Sequence, residues 1–389
     1  MRIVELEARQ VRIPLRRKIT HASHTREETD NVVIRCVLSD GSIGFGEGVP
    51  RDYVTGETID SVFELLSRSD LDSQFTPCSD FVEAVHMAER LRMAAVTDDD
   101  RMIQGNAARC AVELAVLDAF GRSFGEPLST VTKLIAPELH EPRGRVQYSG
   151  VIGNPRSWKK RAYPLVYWLA GFHQVKLKVG IPGQDDVKRT RIIRRWLGRK
   201  IDLRIDANEA WTPAEAVERI RELEPFGITS VEQPLKHEEA PALAELRKQV
   251  RTPIMLDESL CGIVDAERAV KGGWCDLFNL RLSKCGGFIP SLRLAQFAKR
   301  HNLGYQLGCQ VGETGLLSAA GRHFATSVKD IRFLEGSYDR HLVWESLIAE
   351  DLTFRRGGWA PILTGCGLAV KVDPARVDWV TKRKESLIG

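Results

Sequence analysis

Eight charged residues stand where they could build one reaction centre: Lys176, Lys178, Asp206, Glu232, Asp257, Lys284, Glu313 and Glu335. From Lys178 to Lys284 the steps are 28, 26, 25 and 27 residues. One strand, a loop, a helix and a return fill about that length, so each charge holds the same place in its own βα unit. Such units bring the carboxyl ends of their strands to a common rim. Three carboxylates gathered there would repel and resist desolvation. A hard divalent cation resolves the conflict, because Mg²⁺ takes oxygen ligands and keeps positions open for water or substrate. The competing explanation is three separate salt bridges to barrel lysines.

Lys176 and Lys178 are two apart on a strand, so both point into the barrel mouth. Their neighbours Val175, Leu177 and Val179 then face covering helices. Adjacent ammonium groups are expected to depress each other's pKa, which makes a lysine able to act as a base near neutral pH. Lys284 comes from a strand roughly across the ring. A substrate held between Lys178 and Lys284 could lose a proton from one face and gain one on either. The proton α to a carboxylate is weakly acidic, and its loss leaves a doubly charged enediolate. A divalent metal and lysine cations are the stabilisers that this charge requires.

The elements that must position these groups follow from periodicity. Met1–Pro14 alternates, Asn31–Leu38 is a β-branched run, and Ile43–Glu47 returns after the turn Ser39-Asp40-Gly41-Ser42. Polar loops are expected at 16–30, holding His21 and His24, and at 48–58, holding Arg51 and Tyr53. Helical patterns cover about 59–66, 79–95 and 106–124. Eight short apolar runs follow, at 146–152, 174–179, 203–206, 230–233, 254–257, 277–283, 304–307 and 331–334, with amphipathic helices between. This is an α/β pattern with a parallel barrel. In the tail, 368–372 reads as a strand and 374–382 as a short helix returning to the first domain. The expected domains are an α+β cap at 1–130, a barrel at 131–360 and a C-terminal segment at 361–389 that rejoins the cap.

Composition excludes several alternatives. The chain has 389 residues, 43% hydrophobic and 28% charged, which suits an ordered globular protein. A net charge of +4 is too mild to argue for nucleic acid. The basic run from Lys188 to Lys200 is interleaved with Ile192, Ile193, Trp196 and Leu197 at helical spacing, which marks a wetted helix face. Eight cysteines contain no C-x-x-C pair. No run reaches the roughly 18 apolar residues of a membrane span, and no signal-type segment opens the chain. A cytoplasmic enzyme with no membrane or nucleic-acid partner is the expectation.

The chain resembles the enolase superfamily, specifically its muconate-lactonizing-enzyme (muconate cycloisomerase) subgroup. The resemblance rests on Val175-Lys-Leu-Lys178, Arg204-Ile-Asp-Ala-Asn208, Val231-Glu-Gln-Pro234, Leu256-Asp-Glu-Ser259 and Leu282-Ser-Lys284. Gly44-Phe-Gly-Glu-Gly48 and the segment 365–372 extend it over nearly the whole chain. It implies a modified (β/α)₇β TIM barrel under an α+β capping domain built from both termini. It also implies that Asp206, Glu232 and Asp257 bind Mg²⁺, with Mn²⁺ as a substitute, and that Lys178 and Lys284 form the acid/base pair. Lys176 would hold the substrate carboxylate. Asn208 and Glu258 would support the ligands. Glu313, Glu335, His21, His24, Arg51 and Tyr53 would meet the substrate or its surroundings. A homo-oligomer acting on a small carboxylate is implied too.

Within that family the branch can be argued. The segment 308–315 has no histidine of the mandelate-racemase kind. Leu334-Glu-Gly-Ser-Tyr-Asp339 lacks the Asp-x-Asp pair typical of dipeptide epimerases, while Glu335 fits cycloisomerases. Gln310-Val-Gly departs from the usual seventh-strand motif. The leading expectation is therefore a cycloisomerase-like isomerase or lyase. Racemisation or epimerisation of an amino-acid derivative, o-succinylbenzoate-type dehydration and acid-sugar dehydration are the enzymatic alternatives. A catalytically inactive scaffold barrel is the alternative of another class.

Overall fold

The computed structural model describes residues 1–20, 25–153 and 162–389 of the chain. His21 and His24 lie outside the described residues. The amino-terminal part forms three antiparallel strands: β1 (Ile3–Thr20), β2 (Thr25–Leu38) and β3 (Ile43–Gly48). Within the polar stretch expected to be a loop at 16–30, residues 16–20 and 25–30 are instead paired strand, with Ile19 opposite Arg26. Charge pairs along these strands explain why polar residues remain in a ladder there. Lys18 meets Glu27 and Arg12 meets Asp30 across the strands. The loop at 48–58 contains one short helix, Asp52–Thr55. The helix expected over 79–95 is confined to Phe81–Glu89.

Helix Asn106–Phe124 lies directly on β3, and this explains the Gly44-x-Gly46-x-Gly48 alternation. The three glycines occupy one face of the strand at period two. A Cβ on Gly46 would stand 2.1 Å from the Ala111 carbonyl oxygen and 2.4 Å from the Ala115 nitrogen. Gly44 and Gly48 would meet the backbone at Ala119 and Ala107 just as closely. The helix answers with small residues on its contacting face, so backbone approaches backbone. Gly46→Ala is expected to destabilise the protein by about 3 kcal/mol or more, because neither backbone can yield. An unchanged melting temperature would show that the approach is not limiting.

The barrel begins after a two-stranded appendage, β4 (Arg145–Gln147) with β13 (Trp359–Pro361). The run at 146–152 is thus divided, and its second half starts the barrel. The eight barrel strands are β5 (Gly150–Ile152), β6 (Gln174–Lys178), β7 (Asp202–Asp206), β8 (Ile228–Glu232), β9 (Ile254–Leu256), β10 (Leu277–Leu280), β11 (Gly304–Leu307) and β12 (Ile331–Leu334). They pair in sequence order, all parallel. The Ser149 amide donates to the Leu334 carbonyl at 2.8 Å and links the first strand to the last. Helices follow seven of the strands, from Tyr163–Ala170 to Gly315–Ser327. Alternation divides each strand: Val175, Leu177, Leu203 and Ile205 are buried toward the helices, while Lys176, Arg204, Asn279 and Gln306 are buried on the other side.

The tail differs from expectation in detail. Residues 368–372 make a single bridge, Val372 to Ile348, rather than a strand. Helix Pro374–Val380 is followed by β14 (Thr381–Ile388), which pairs antiparallel with β1. The carboxyl terminus therefore completes the cap sheet in the order β14-β1-β2-β3. The eight cysteines are all free, and six are buried as small core residues. Among the described residues no helix is long and apolar enough to cross a membrane.

Candidate active site

Register assembles the charged residues in a row. Lys178 pairs with Asp206, and Asp206 with Glu232, across β6, β7 and β8. Glu232 pairs with Met255, so Asp257 stands two residues further, just past the end of β9. All three acids are essentially inaccessible. Lys176 stands 3.2 Å from Asp206, 3.3 Å from Glu232 and 2.8 Å from Glu335. Lys178 donates to Asn208 Oδ1 at 2.6 Å and stands 3.6 Å from Asp206. Lys284 donates to Asp257 Oδ1 at 2.8 Å, and to the carbonyls of Asp257 and Asn279 at 2.7 and 2.9 Å. Because β6 and β10 are four strands apart in an eight-stranded ring, the two lysines approach from opposite sides.

The electrostatics follow from burial and crowding. Burial pushes Glu232 up, aided by Asp206, Glu335 and Asp257 and opposed by Lys176. Against the same burial penalty, Lys176, Lys178 and Arg281 hold Asp206 below the ordinary carboxylate range. One Asp206 oxygen, Oδ2, is buried and faces the ammonium groups of both Lys176 and Lys178. Burial alone would lower Lys176 and Lys284, but Glu232, Glu335 and Asp206 raise the first and Asp257 raises the second. The expected mutual depression of the paired lysines is thus reversed at Lys176, because three carboxylates outweigh one neighbouring ammonium. Among the described residues no three acidic, histidine or cysteine side chains close into a formed ligand cage. Lys176 and Arg281 stand among the carboxylates instead.

Other expected residues take varied places. Glu335 is shared by Lys176 and the buried Arg204. Glu258 is buried with one oxygen unpartnered, and burial followed by Asp257 raises it. Glu313 accepts from the Gln310 amide at 2.6 Å, and burial raises it to about 8. Arg51 is 2% exposed and donates to the carbonyls of Pro50 and Val311, fastening the cap to the loop after β11. Tyr53 is half-buried with the Arg26 guanidinium over its ring.

Several site residues carry no signal in their spacing. Arg281 contacts Asp257 and lies 3.8 Å from Glu232. Asn279 donates to Glu232 at 2.8 Å. Gln233 sits at φ +37, strained for a residue with a side chain, yet its amide makes four bonds. It accepts from the Asp257 and Ser259 amides and donates to Leu235 and Ser259, which fixes the loop that carries Asp257. The even alternation of β10 and the motif Val231-Glu-Gln-Pro234 mark where these residues are, but not what they touch.

A cleft of about 700 Å³ opens beside Asn208, lined by Tyr53, Arg101, Glu209 and His237. His237 Nδ1 lies 2.8 Å from Glu209, and this hydrogen bond raises the imidazole despite its partial burial. A raised folded-state value means that the stabilisation is complete below the ordinary histidine range of about 6.5. It is lost as pH rises through the folded value. His237→Gln is expected to lower the melting temperature near pH 6 and to leave it nearly unchanged near pH 9. Equal losses at both pH values would show that the pair does not titrate.

Comparison with known proteins adds the relationship. The family model described as Enolase C-terminal domain-like matches residues 165–376. The hydrophobic dipeptide epimerase of Enterococcus faecalis is 30% identical over 333 residues, covering 85% of this chain and 89% of that protein. The N-succinyl-L-Arg/Lys racemase of Bacillus cereus is 29% identical, covering 86% and 87%. The crystal structure of a dipeptide epimerase from Cytophaga hutchinsonii, complexed with Mg and D-Ala-L-Val, superposes with a TM-score of 0.83 at 25% identity over 100% of both chains. These relatives are isomerases that act on amino-acid derivatives. The cycloisomerase-like expectation therefore gives way to its racemase or epimerase alternative.

Proposed function

This chain belongs to the enolase superfamily, in its Enolase C-terminal domain-like family, and on that premise we propose that it racemises an N-acylated amino acid by Mg²⁺-assisted proton transfer at the α carbon. The observation that carries the reading is the placement of Lys178 and Lys284 on opposite sides of one group of buried carboxylates. One lysine, neutral, takes the α proton: a C–H bond breaks and an N–H bond forms. The other, as ammonium, returns a proton to the opposite face. Exchange of roles runs the reverse reaction. Lys176, held cationic by its three carboxylate neighbours, attracts the substrate carboxylate.

Asp206, Glu232 and Asp257 are the groups that would hold the metal. Their chemistry fits it: all three donors are hard, buried oxygens, and Glu232 is pushed up by burial and by its anionic neighbours. A divalent cation there supplies positive charge that offsets the carboxylates and favours the enediolate. Asn208 orients Lys178, and Gln233 holds the Asp257 loop.

The acyl preference rests on β12. A free dipeptide ammonium needs a carboxylate with charge to spare, and Glu335 is already shared by Lys176 and Arg204. Dipeptide epimerisation is the second reading, favoured by the 30% identity to a dipeptide epimerase. The test is α-deuterium incorporation in D₂O with Mg²⁺, comparing N-succinyl-D- and L-arginine with L-Leu-L-Tyr and D-Ala-L-Val. Exchange confined to dipeptides would replace the first reading with the second. Exchange with none of these probes, with Mg²⁺ present, would count against proton transfer on amino-acid derivatives.

A further inference from the structure

The cap's central helix grips the turn that carries Lys284. Asn106, Arg109 and Glu113 lie three and four residues apart, on one helical face. Asn106 Nδ2 donates to the Lys284 carbonyl at 2.6 Å and to the Cys261 carbonyl at 2.9 Å. Arg109 donates to the Gly286 carbonyl at 2.7 Å and to Glu113 at 2.6 Å. Glu113 accepts from the Ile289 amide at 3.0 Å. The turn is pressed against this stripe. A Cβ on Gly286 would stand 3.0 Å from Asn106 Oδ1, and one on Gly287 would stand 2.4 Å from Glu113 Oε1. Both glycines adopt positive φ, of +86° and +131°, which suits residues without a side chain.

Lys284 is therefore held at two ends. Its ammonium is fixed within the barrel by Asp257 and Asn279. Its backbone is fixed from outside by one cap amide, which also holds the loop leading from Asp257 to Cys261. Only a primary amide at this length offers two N–H donors from one atom to two carbonyls. The helix start is itself tied down, since Glu57 of the cap loop accepts from the Gly105 and Ala107 amides, each at 3.0 Å. Lys178, across the ring, is oriented by Asn208, a barrel residue.

We propose that Asn106 is a positioning residue for Lys284: through the Lys284 carbonyl, the cap sets the aim of one of the two proton-transfer groups and not the other. The proposal rests on the reading of Lys284 as such a group. Two measurements test it. In amide hydrogen exchange, Asn106→Ala is expected to speed exchange of the segment 282–289 by about tenfold, while β6 and β7 stay unchanged. In D₂O with Mg²⁺ and N-succinyl-D- or L-arginine, Lys284→Ala first identifies the enantiomer that Lys284 deprotonates. Asn106→Ala and Asn106→Asp should then lower exchange of that enantiomer about tenfold and leave the other near wild type. Equal loss for both enantiomers, or loss for neither, would overturn the proposal, as would unchanged backbone exchange. Absence of α exchange in the wild type would instead defeat the proton-transfer reading, and backbone exchange would still decide whether Asn106 holds the turn.

Discussion

Lys178→Ala is expected to abolish racemisation, with kcat lower by about 10³ or more, and to spare α exchange of one enantiomer only. The asymmetry is the informative part. Removing Lys178 takes away the acceptor on one face, while Lys284 keeps its bonds to Asp257 and Asn279. One enantiomer should therefore still lose its α proton to solvent without inverting. The fold should survive, because the Lys178 side chain is partly exposed and the core on the other face of β6, Val175 and Leu177, is untouched. The measurement is chiral analysis of product together with α-deuterium content for each enantiomer. Racemisation at the wild-type rate, or loss of exchange from both enantiomers alike, would remove Lys178 from the base position.

Glu232→Gln has the second large effect, and its two parts have opposite signs. Without metal, the ionised form of Glu232 is penalised by burial and by Asp206, Glu335 and Asp257, against the attraction of Lys176. Its raised folded-state value means that wild-type stability contributed by this group is present at low pH and lost as pH rises. A neutral amide of the same shape removes that penalty, though it deprives Lys176 of one partner. The metal-free variant should therefore melt no lower than the wild type at pH 8. Mg²⁺ affinity should fall at least about a hundredfold, so added Mg²⁺ should no longer raise the melting temperature. Thermal unfolding with and without Mg²⁺, together with calorimetric titration, reads both effects. A variant that keeps the wild-type Mg²⁺ response would place the ion elsewhere.

The crowded carboxylates also explain why lysines and arginines occupy this rim. Arg281 contacts Asp257 and approaches Glu232, and Lys176 reaches Asp206, Glu232 and Glu335. A buried cluster of this kind is stable only while its charges balance. Arg204 performs the same service for Glu335 from β7. The result is a site whose fixed cations pair with Glu335.

Much of this arrangement was legible along the chain. Strands of four or five residues carry their own alternation, so the period of two by itself puts Lys176 and Lys178 on one side. The steps of 25 to 28 residues placed Asp206, Glu232 and Asp257 at equivalent strand ends, because one βα unit has a nearly constant length. The helical pattern over 106–124 has the same limits in the structure, as helix Asn106–Phe124. The motif Gly44-Phe-Gly-Glu-Gly48 was visible too, but the helix backbone that requires it lies some 60 residues later.

What only the tertiary structure decided is who touches whom. Residues 16–30 read as a polar loop, yet 16–20 and 25–30 pair as antiparallel strands with cross-strand ion pairs that no local pattern announces. Residues 381–388 open with the basic run Lys382-Arg383-Lys384 and carry little apolar signal, yet form a strand that pairs with the edge of β1. The sign of the Lys176 shift turned on Glu335 and Glu232, 159 and 56 residues away in sequence. The bond from Asn106 to the Lys284 carbonyl spans 178 residues. Periodicity is written within a single turn or strand, where sterics and burial act on neighbours. Pairing across the molecule depends on the packing of whole elements, and no short stretch of chain records it.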